Sequence, residues 1–344
     1  MTDMNLNAPA AVTGVSANRA LTITILTSAV VSLLIWLAND ALGPFTLITQ
    51  VSGGPRIYPW QLAAANNWSH LTAWAGYIAH QLVSWALIYK AQRAQLSYTT
   101  NLQPINIAAL LSTLGFVSLH FLQTHLYYDG LAQDVPEWTA MASVIVLLLV
   151  VILIENKRRG ITFGRSWGGF VSEAGDIARR YHGYYFSWAT IYTFWYHPMV
   201  FTPGHLVGFF YMFLLFSQGA LMYTRAHRNR WWTLTLELLV IAHGVLIAAM
   251  HVGGGWQMFA FGLAGIFFVT QIYGLGMSRA ATGIALASYV VGTILFYQYR
   301  DWENFPRIFL ILGGYYVIVP ILAGLIVCAA RIASQLRGNT GTTL

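Results

Sequence analysis

The chain has 344 residues, of which 57% are hydrophobic and only 8% are charged, and its formal net charge is +7. Soluble domains carry about 25% charged residues, so this composition excludes an ordinary soluble protein and indicates a membrane protein. The basic excess does not indicate a nucleic-acid partner, because the basic residues flank apolar segments as they do in membrane proteins.

The first 19 residues are mostly small and polar and predict a short cytoplasmic tail. The apolar run that follows has no convincing cleavage site, so we interpret it as a retained helix. Runs of about twenty apolar residues, the length that spans a bilayer, then recur along the chain. We predict one transmembrane domain over residues 20–334 and a cytoplasmic tail at 335–344, with helices near 20–38, 68–90, 105–127, 138–154, 184–201, 205–224, 232–251, 256–277, 280–298 and 308–330.

The positive charges provide a test of this helix count, because ten spanning helices force successive loops to alternate between the two sides of the membrane. Fifteen of the eighteen Lys and Arg residues then fall on one side, and the exceptions are Arg56, Arg300 and Arg307. This asymmetry is expected if both termini are cytoplasmic. The sequence therefore predicts an all-α, polytopic bundle of about ten transmembrane helices in the plasma (inner) membrane. The long basic stretch 155–183 is then a cytoplasmic connection, which is either a solvated loop or a loop that holds a short interfacial helix whose arginines meet anionic lipid head groups.

Familiar catalytic motifs are missing from the sequence. There is no HExxH metalloprotease motif, no CxxC pair and no GxxxxGK[ST] phosphate loop. Cys328 is the only cysteine, which excludes an intrachain disulfide and a thiolate metal cluster. The histidine spacings also differ from the HxxxH and HxxHH set of the di-iron membrane hydroxylases.

The ten histidines are the main functional signal, and six of them lie between His182 and His251. At a rise of about 1.5 Å per residue, His80, His120 and His243 lie well inside their helices, whereas His197 and His205 lie near the extracytoplasmic face. Several continue polar stripes at helical spacing, which indicates that they face protein rather than lipid. We predict that these five histidines line one cavity open to the extracytoplasmic side.

The first functional hypothesis is a membrane-bound oxidoreductase that depends on haem or a transition metal, because neutral imidazole is a common metal ligand. In it His80, His120 and His243 are the cofactor or metal ligands, with His243 paired to either of the other two across a haem. His197 and His205 are then the candidate catalytic residues. For each ring alone, the alternative is a packed histidine bonded to a neighbouring carbonyl group.

Two other classes of function fit the same sequence. One is a proton-coupled transporter of a small solute, and the other is a non-catalytic subunit or assembly factor of a membrane complex. The expected partners are membrane lipids and a small-molecule or lipid substrate. Small residues in the last three predicted helices, such as Gly262, Gly265, Gly313 and Gly314, would suit a homo-oligomer or subunit contact.

Overall fold

The structure is a computed structural model, and it describes residues 13–49, 58–250 and 255–339. These residues form helices and connecting turns, with isolated bridges in place of sheets. The helices are α1 (Ala17–Ala38), α2 (Asn67–Arg93), α3 (Pro104–Tyr127), α4 (Glu137–Arg159), α5 (Gly169–Tyr196), α6 (Pro203–Ala220), α7 (Arg230–Met250), α8 (Trp256–Val269), α9 (Arg279–Arg300) and α10 (Ile308–Asn339). Each predicted helix therefore corresponds to an observed helix. Arg56 and His251 lie outside the described residues.

Within the described part of the chain, six helical stretches are long and apolar enough to cross a membrane. They are Ala17–Leu42, Pro104–Tyr127, Glu137–Arg159, Arg230–Met250, Arg279–Arg300 and Trp302–Leu336. Only 11% to 39% of the residues in their most apolar windows are buried within the chain. Large apolar side chains such as Leu26, Leu111, Ile284 and Leu310 are exposed instead. A helical bundle with an apolar outer surface is the arrangement that a bilayer requires.

The prediction for the fifth helix, residues 184–201, was wrong at both ends. The helix begins at Gly169, so much of the expected basic loop is helical. This amphipathic beginning carries its charges on the surface, where Asp176 pairs with Lys157 at 2.5 Å and Glu173 with Arg331 at 3.2 Å. The helix ends at Tyr196 because Pro198 lacks the N–H that would continue the ladder.

Several other helix ends also differ from the prediction, among them the ends of the sixth, eighth and tenth helices. The sixth helix stops at Ala220 rather than residue 224, because the Asn106 side chain donates to the carbonyls of Ala220 and Met222, at 2.8 Å in both cases. The eighth stops at Val269, ahead of a turn in which Gly276 has a positive φ of 70°. The tenth continues to Asn339, into the segment expected to be a tail.

The chain forms two compact units. Unit 1 comprises Met1–Val144 and Gly183–Leu239, and unit 2 comprises Ile145–His182 and Val240–Leu344. The core of unit 1 is rich in aromatic side chains, including Tyr192, Phe194, Trp195 and Phe209. The core of unit 2 is aliphatic around Tyr315, whose hydroxyl donates to the Ile161 carbonyl. Unit 1 therefore holds most of the aromatic and histidine residues singled out in the sequence.

Candidate functional site

His80 is fixed where α2 packs against α5. Gly76 lies one turn before it, and a Cβ atom there would overlap the Trp195 indole, so only glycine admits this ring. The indole Nε1–H donates to His80 Nδ1 at 3.3 Å, and Phe116 stacks on the imidazole at 4.3 Å between ring centroids. His80 is 1% exposed. Because Nδ1 accepts, the neutral ring carries its proton on Nε2.

His120 on α3 is fully buried and contacts the same indole, with ring centroids 4.3 Å apart. Its Nε2 lies 2.9 Å from the His197 carbonyl oxygen, and a carbonyl can only accept, so Nε2 carries a proton. Its Nδ1 lies 3.1 Å from the Gln123 side-chain oxygen. If the Gln123 amide is flipped so that its NH₂ group faces the ring, neutral His120 accepts at Nδ1. If the amide oxygen faces the ring, Nδ1 must donate, which requires the charged imidazolium.

The connection between α5 and α6 brings two further histidines together. Thr202 caps the beginning of α6 through its side chain, and Pro203 occupies the first helical position. The rings of His197 and His205 are consequently 5.4 Å apart. The Nδ1–H of His197 donates to the carbonyl oxygen of Thr193 at 2.8 Å, and Thr193 lies in the last turn of α5.

His205 lies between two hydroxyl groups. Its Nε2 is 2.9 Å from the Tyr58 hydroxyl, and its Nδ1 is 3.0 Å from the Thr202 hydroxyl. A hydroxyl group both donates and accepts. The ring can therefore keep both hydrogen bonds in either neutral tautomer and as the imidazolium. Trp60 packs edge-on against the ring at 4.4 Å, and the residue is 8% exposed.

Tyr58 is in its protonated form when it faces His205. Burial, with the neighbouring hydroxyl groups of Tyr196 and Tyr128, raises the pKa of Tyr58 well above its usual value. The hydroxyl proton is therefore available as a hydrogen-bond donor at every physiological pH. At this contact, the group that gains or loses a proton is therefore the His205 imidazole.

A second polar group of unit 1 lies around the loop between α3 and α4. His70 Nδ1 pairs with the Asp134 carboxylate at 2.9 Å, and the Trp74 indole donates to the same carboxylate at 2.7 Å. This pair is about one-third exposed. Asp129, in contrast, is fully buried, and neither of its carboxyl oxygens has a hydrogen-bond partner among the described residues.

Four of the five predicted site histidines, His80, His120, His197 and His205, thus lie in unit 1, linked through Trp195, the His197 carbonyl and the His197 ring. His243 is half-buried on α7 in unit 2. Its pairing with His80 or His120 across a haem stays a prediction. In the parts of the chain that the structure describes, no group of three or more His, Cys, Asp or Glu side chains is arranged to hold a metal ion.

Sequence reasoning missed several members of the network. Tyr58 and Thr202 lie in connections, where helical periodicity has no meaning, and only the structure shows that they flank His205. In the sequence, Asp129 is one of three acidic residues between the third and fourth predicted helices, with Asp134 and Glu137, and no spacing distinguishes it from them. One sequence signal does bear on the connection between α5 and α6: the two prolines and one glycine of HPMVFTPGH, residues 197–205, predict a tight turn that could bring His197 and His205 near one another.

No protein-family model, no curated protein and no solved structure matches this chain. Function therefore has to be inferred from the chemistry of the site itself.

Proposed function

We propose that the chain is a multi-pass plasma-membrane protein of ten spans with both termini cytoplasmic, in which the 14-residue α8 crosses together with the turn Gln271–Gly274 that follows it. The six long apolar helices support this reading. The more polar α2 and α5 have 27 and 28 residues, which exceeds the roughly 20 needed to span. Their polar positions include buried residues such as His80 and Thr190, so protein rather than lipid surrounds them. The distribution of Lys and Arg supplies the orientation.

We further propose that the protein is a proton-coupled transporter of a small solute, with its proton site on the extracytoplasmic side of unit 1. The observation that carries this proposal is the position of His205 between the hydroxyls of Tyr58 and Thr202. Imidazole gains and loses protons near neutral pH. A ring that keeps both hydrogen bonds in every protonation state can gain or lose a proton without a large rearrangement of its surroundings.

Unsatisfied polar groups in unit 1 support a polar solute. The side-chain amide of Gln81, next to His80 in the sequence, is buried with neither its nitrogen nor its oxygen paired among the described residues. The Tyr196 hydroxyl is likewise buried without a partner there. Such groups cost about 1–3 kcal/mol each when left unpaired. A solute carrying both donors and acceptors would satisfy them.

Transport can be tested with the full-length protein in liposomes that contain a pH-sensitive dye. A panel of amino acids, sugars and organic acids is added outside, and solute-dependent acidification of the lumen is recorded. We expect at least one solute to carry protons with it, and His205→Ala to abolish the signal. His182→Ala, on the cytoplasmic side of α5, is the matched control and should retain it. Proton entry that is equal in wild type and His205→Ala would contradict the proposal.

A haem- or metal-dependent oxidoreductase is the second candidate function. The observation that favours it is that two buried histidines, His80 and His120, both contact the Trp195 indole. With His243 they are the proposed ligands, and His197 and His205 the proposed catalytic residues. An absorption spectrum and metal analysis of gently purified protein test this candidate. A haem band that His80→Ala removes would replace the transporter proposal, and absence of both chromophore and transport would favour a non-catalytic subunit.

A further inference from the structure

Asp129 is a buried acidic residue of unit 1 whose carboxyl group is not paired with any described residue. The side chain is 0% exposed, and both carboxyl oxygens lack a hydrogen-bond partner among the described residues. The Gly130 N–H and the Gln133 amide are close enough to lower its pKa, but neither meets the geometry of a hydrogen bond. A charged carboxylate without partners is costly to bury. A protonated carboxyl would also need an acceptor for its O–H, and none lies within hydrogen-bond distance among the described residues.

The charged groups around Asp129 do not neutralise it. His70, which lowers the pKa of Asp129, is paired with Asp134 at 2.9 Å. Asp134 itself raises the pKa of Asp129, because a second negative charge disfavours ionisation. No ion pair joins Asp129 to a Lys, Arg or His in the portion of the chain that the structure describes. One negative charge therefore lacks compensation by the protein.

The residue next to Asp129 packs against the carboxyl end of α5. A Cβ atom on Gly130 would lie 2.5 Å from the Tyr196 carbonyl oxygen and 2.9 Å from that of Trp195. The N–H groups four residues further on bond elsewhere, Met199 to the Thr124 hydroxyl and Val200 to the Pro198 carbonyl. These carbonyls therefore receive no helical hydrogen bond. The end of a helix also carries a partial negative charge that favours cations.

We propose that Asp129 and the carbonyl end of α5 bind one monovalent metal cation, with Na⁺ the species that fits best. Carboxylate and carbonyl oxygens are the ligands that hard cations prefer, and broken helix ends coordinate Na⁺ in membrane transporters. A single unpaired carboxyl compensates a single charge, whereas Ca²⁺ sites usually combine several carboxylates. The site does not depend on the transport activity proposed above.

The test uses purified full-length protein, first dialysed into choline chloride. Binding of ²²Na⁺ is measured directly, and the melting temperature is recorded in NaCl, KCl, CaCl₂ and choline chloride at equal ionic strength. We expect about one Na⁺ per chain and a melting temperature higher in NaCl than in choline chloride by at least about 2 °C. Asp129→Asn should lose both effects. Glu303→Gln, an exposed acid in the turn before α10, should retain both.

A pH series gives a second measurement that does not depend on a variant folding. Burial raises the pKa of Asp129 to about 7 in the absence of a cation. Protons then compete with Na⁺ for the carboxylate, so the NaCl concentration that gives half of the stabilisation should rise as the pH is lowered from 8 to 6. Equal melting temperatures in NaCl and choline chloride at pH 8 would overturn the proposal, as would a response to CaCl₂ alone.

Discussion

Because Gly130 has no side chain, the loop between α3 and α4 can pack against the end of α5. Its backbone packs directly against the Trp195 and Tyr196 carbonyl oxygens, which leaves no room for a Cβ atom. Carbonyl groups at a helix end cannot rotate away as a flexible side chain can. The tight contact also brings the loop that contains Asp129 to the end of α5.

Replacement of Gly130 with alanine should therefore destabilise the protein by about 1–3 kcal/mol, the usual cost of overpacking. Gly115→Ala is the matched control, because Gly115 lies inside α3 with no atom within 4 Å of the position of a new Cβ. Its effect should stay within about 1 kcal/mol. Thermal unfolding in detergent compares the two, and equal melting temperatures would show that the Gly130 contact is not tight.

Tyr58 gives a second residue-scale prediction, because it contributes one hydroxyl to His205. Tyr58→Phe removes that hydroxyl and keeps the ring packed against Trp60 and Tyr196. One imidazole nitrogen then loses its partner, and we expect a loss of about 1–2 kcal/mol. Tyr89→Phe, at an exposed position of α2, should cost almost nothing. A Tyr58→Phe protein as stable as wild type would argue against this hydrogen bond.

At the scale of the helix, the interdigitation of α2 and α5 depends on Gly76 and Trp195. The buried indole occupies the space that a side chain at residue 76 would need, and it bonds to His80 from there. Gly76→Ala should displace the indole, break its bond to His80 and lower the melting temperature.

The combination of Gly76→Ala with Trp195→Phe tests that contact more sharply. The smaller phenyl ring should relieve the overlap, so the double variant should lose less stability than the two single losses added together. Coupling of about 1–2 kcal/mol is expected for residues in direct contact. Gly219→Ala, where a Cβ meets nothing within 4 Å, is the control. Strict additivity would mean that the two residues do not compete for the same space.

The ends of the helices show what could and could not be predicted from the sequence. Bilayer-length apolar runs revealed each helix, because that signal extends over many residues. The beginning of α5 at Gly169 was missed because its charged residues resemble a loop until their partners, such as Lys157 for Asp176, are known. The end of α6 depends on Asn106, which is remote in sequence. Such contacts leave no local pattern.

The candidate site shows the same difference between features that follow from helical periodicity and features that depend on residues remote in sequence. His80 and His120 were correctly expected to face protein, because each continues a polar stripe on its helix. The hydroxyl partners of His205 come from two connections that lack any periodicity. Asp129 has no hydrogen-bond partner among the described residues, and this depends on its surroundings in three dimensions. Composition and spacing along the sequence do not predict those surroundings.

At the scale of the whole molecule, the account depends on the orientation of the helices in the membrane. The polar network of unit 1 is accessible to external protons and solutes only if the loop between α3 and α4 faces outward. The helix that follows, α4, is among the most apolar and ends in the basic run of Lys157, Arg158 and Arg159. The positive-inside rule predicts that this run lies in the cytoplasm.

The most direct test is cysteine accessibility on either side of α4. With the native cysteine removed by Cys328→Ser, single cysteines are introduced by Pro136→Cys and by Arg158→Cys, both at exposed positions. Intact cells are treated with a membrane-impermeant maleimide. We expect labelling of the Pro136→Cys protein in intact cells, and of the Arg158→Cys protein only after permeabilisation. Labelling of both from the same side, or the reverse pattern, would contradict the proposed topology and the extracytoplasmic site.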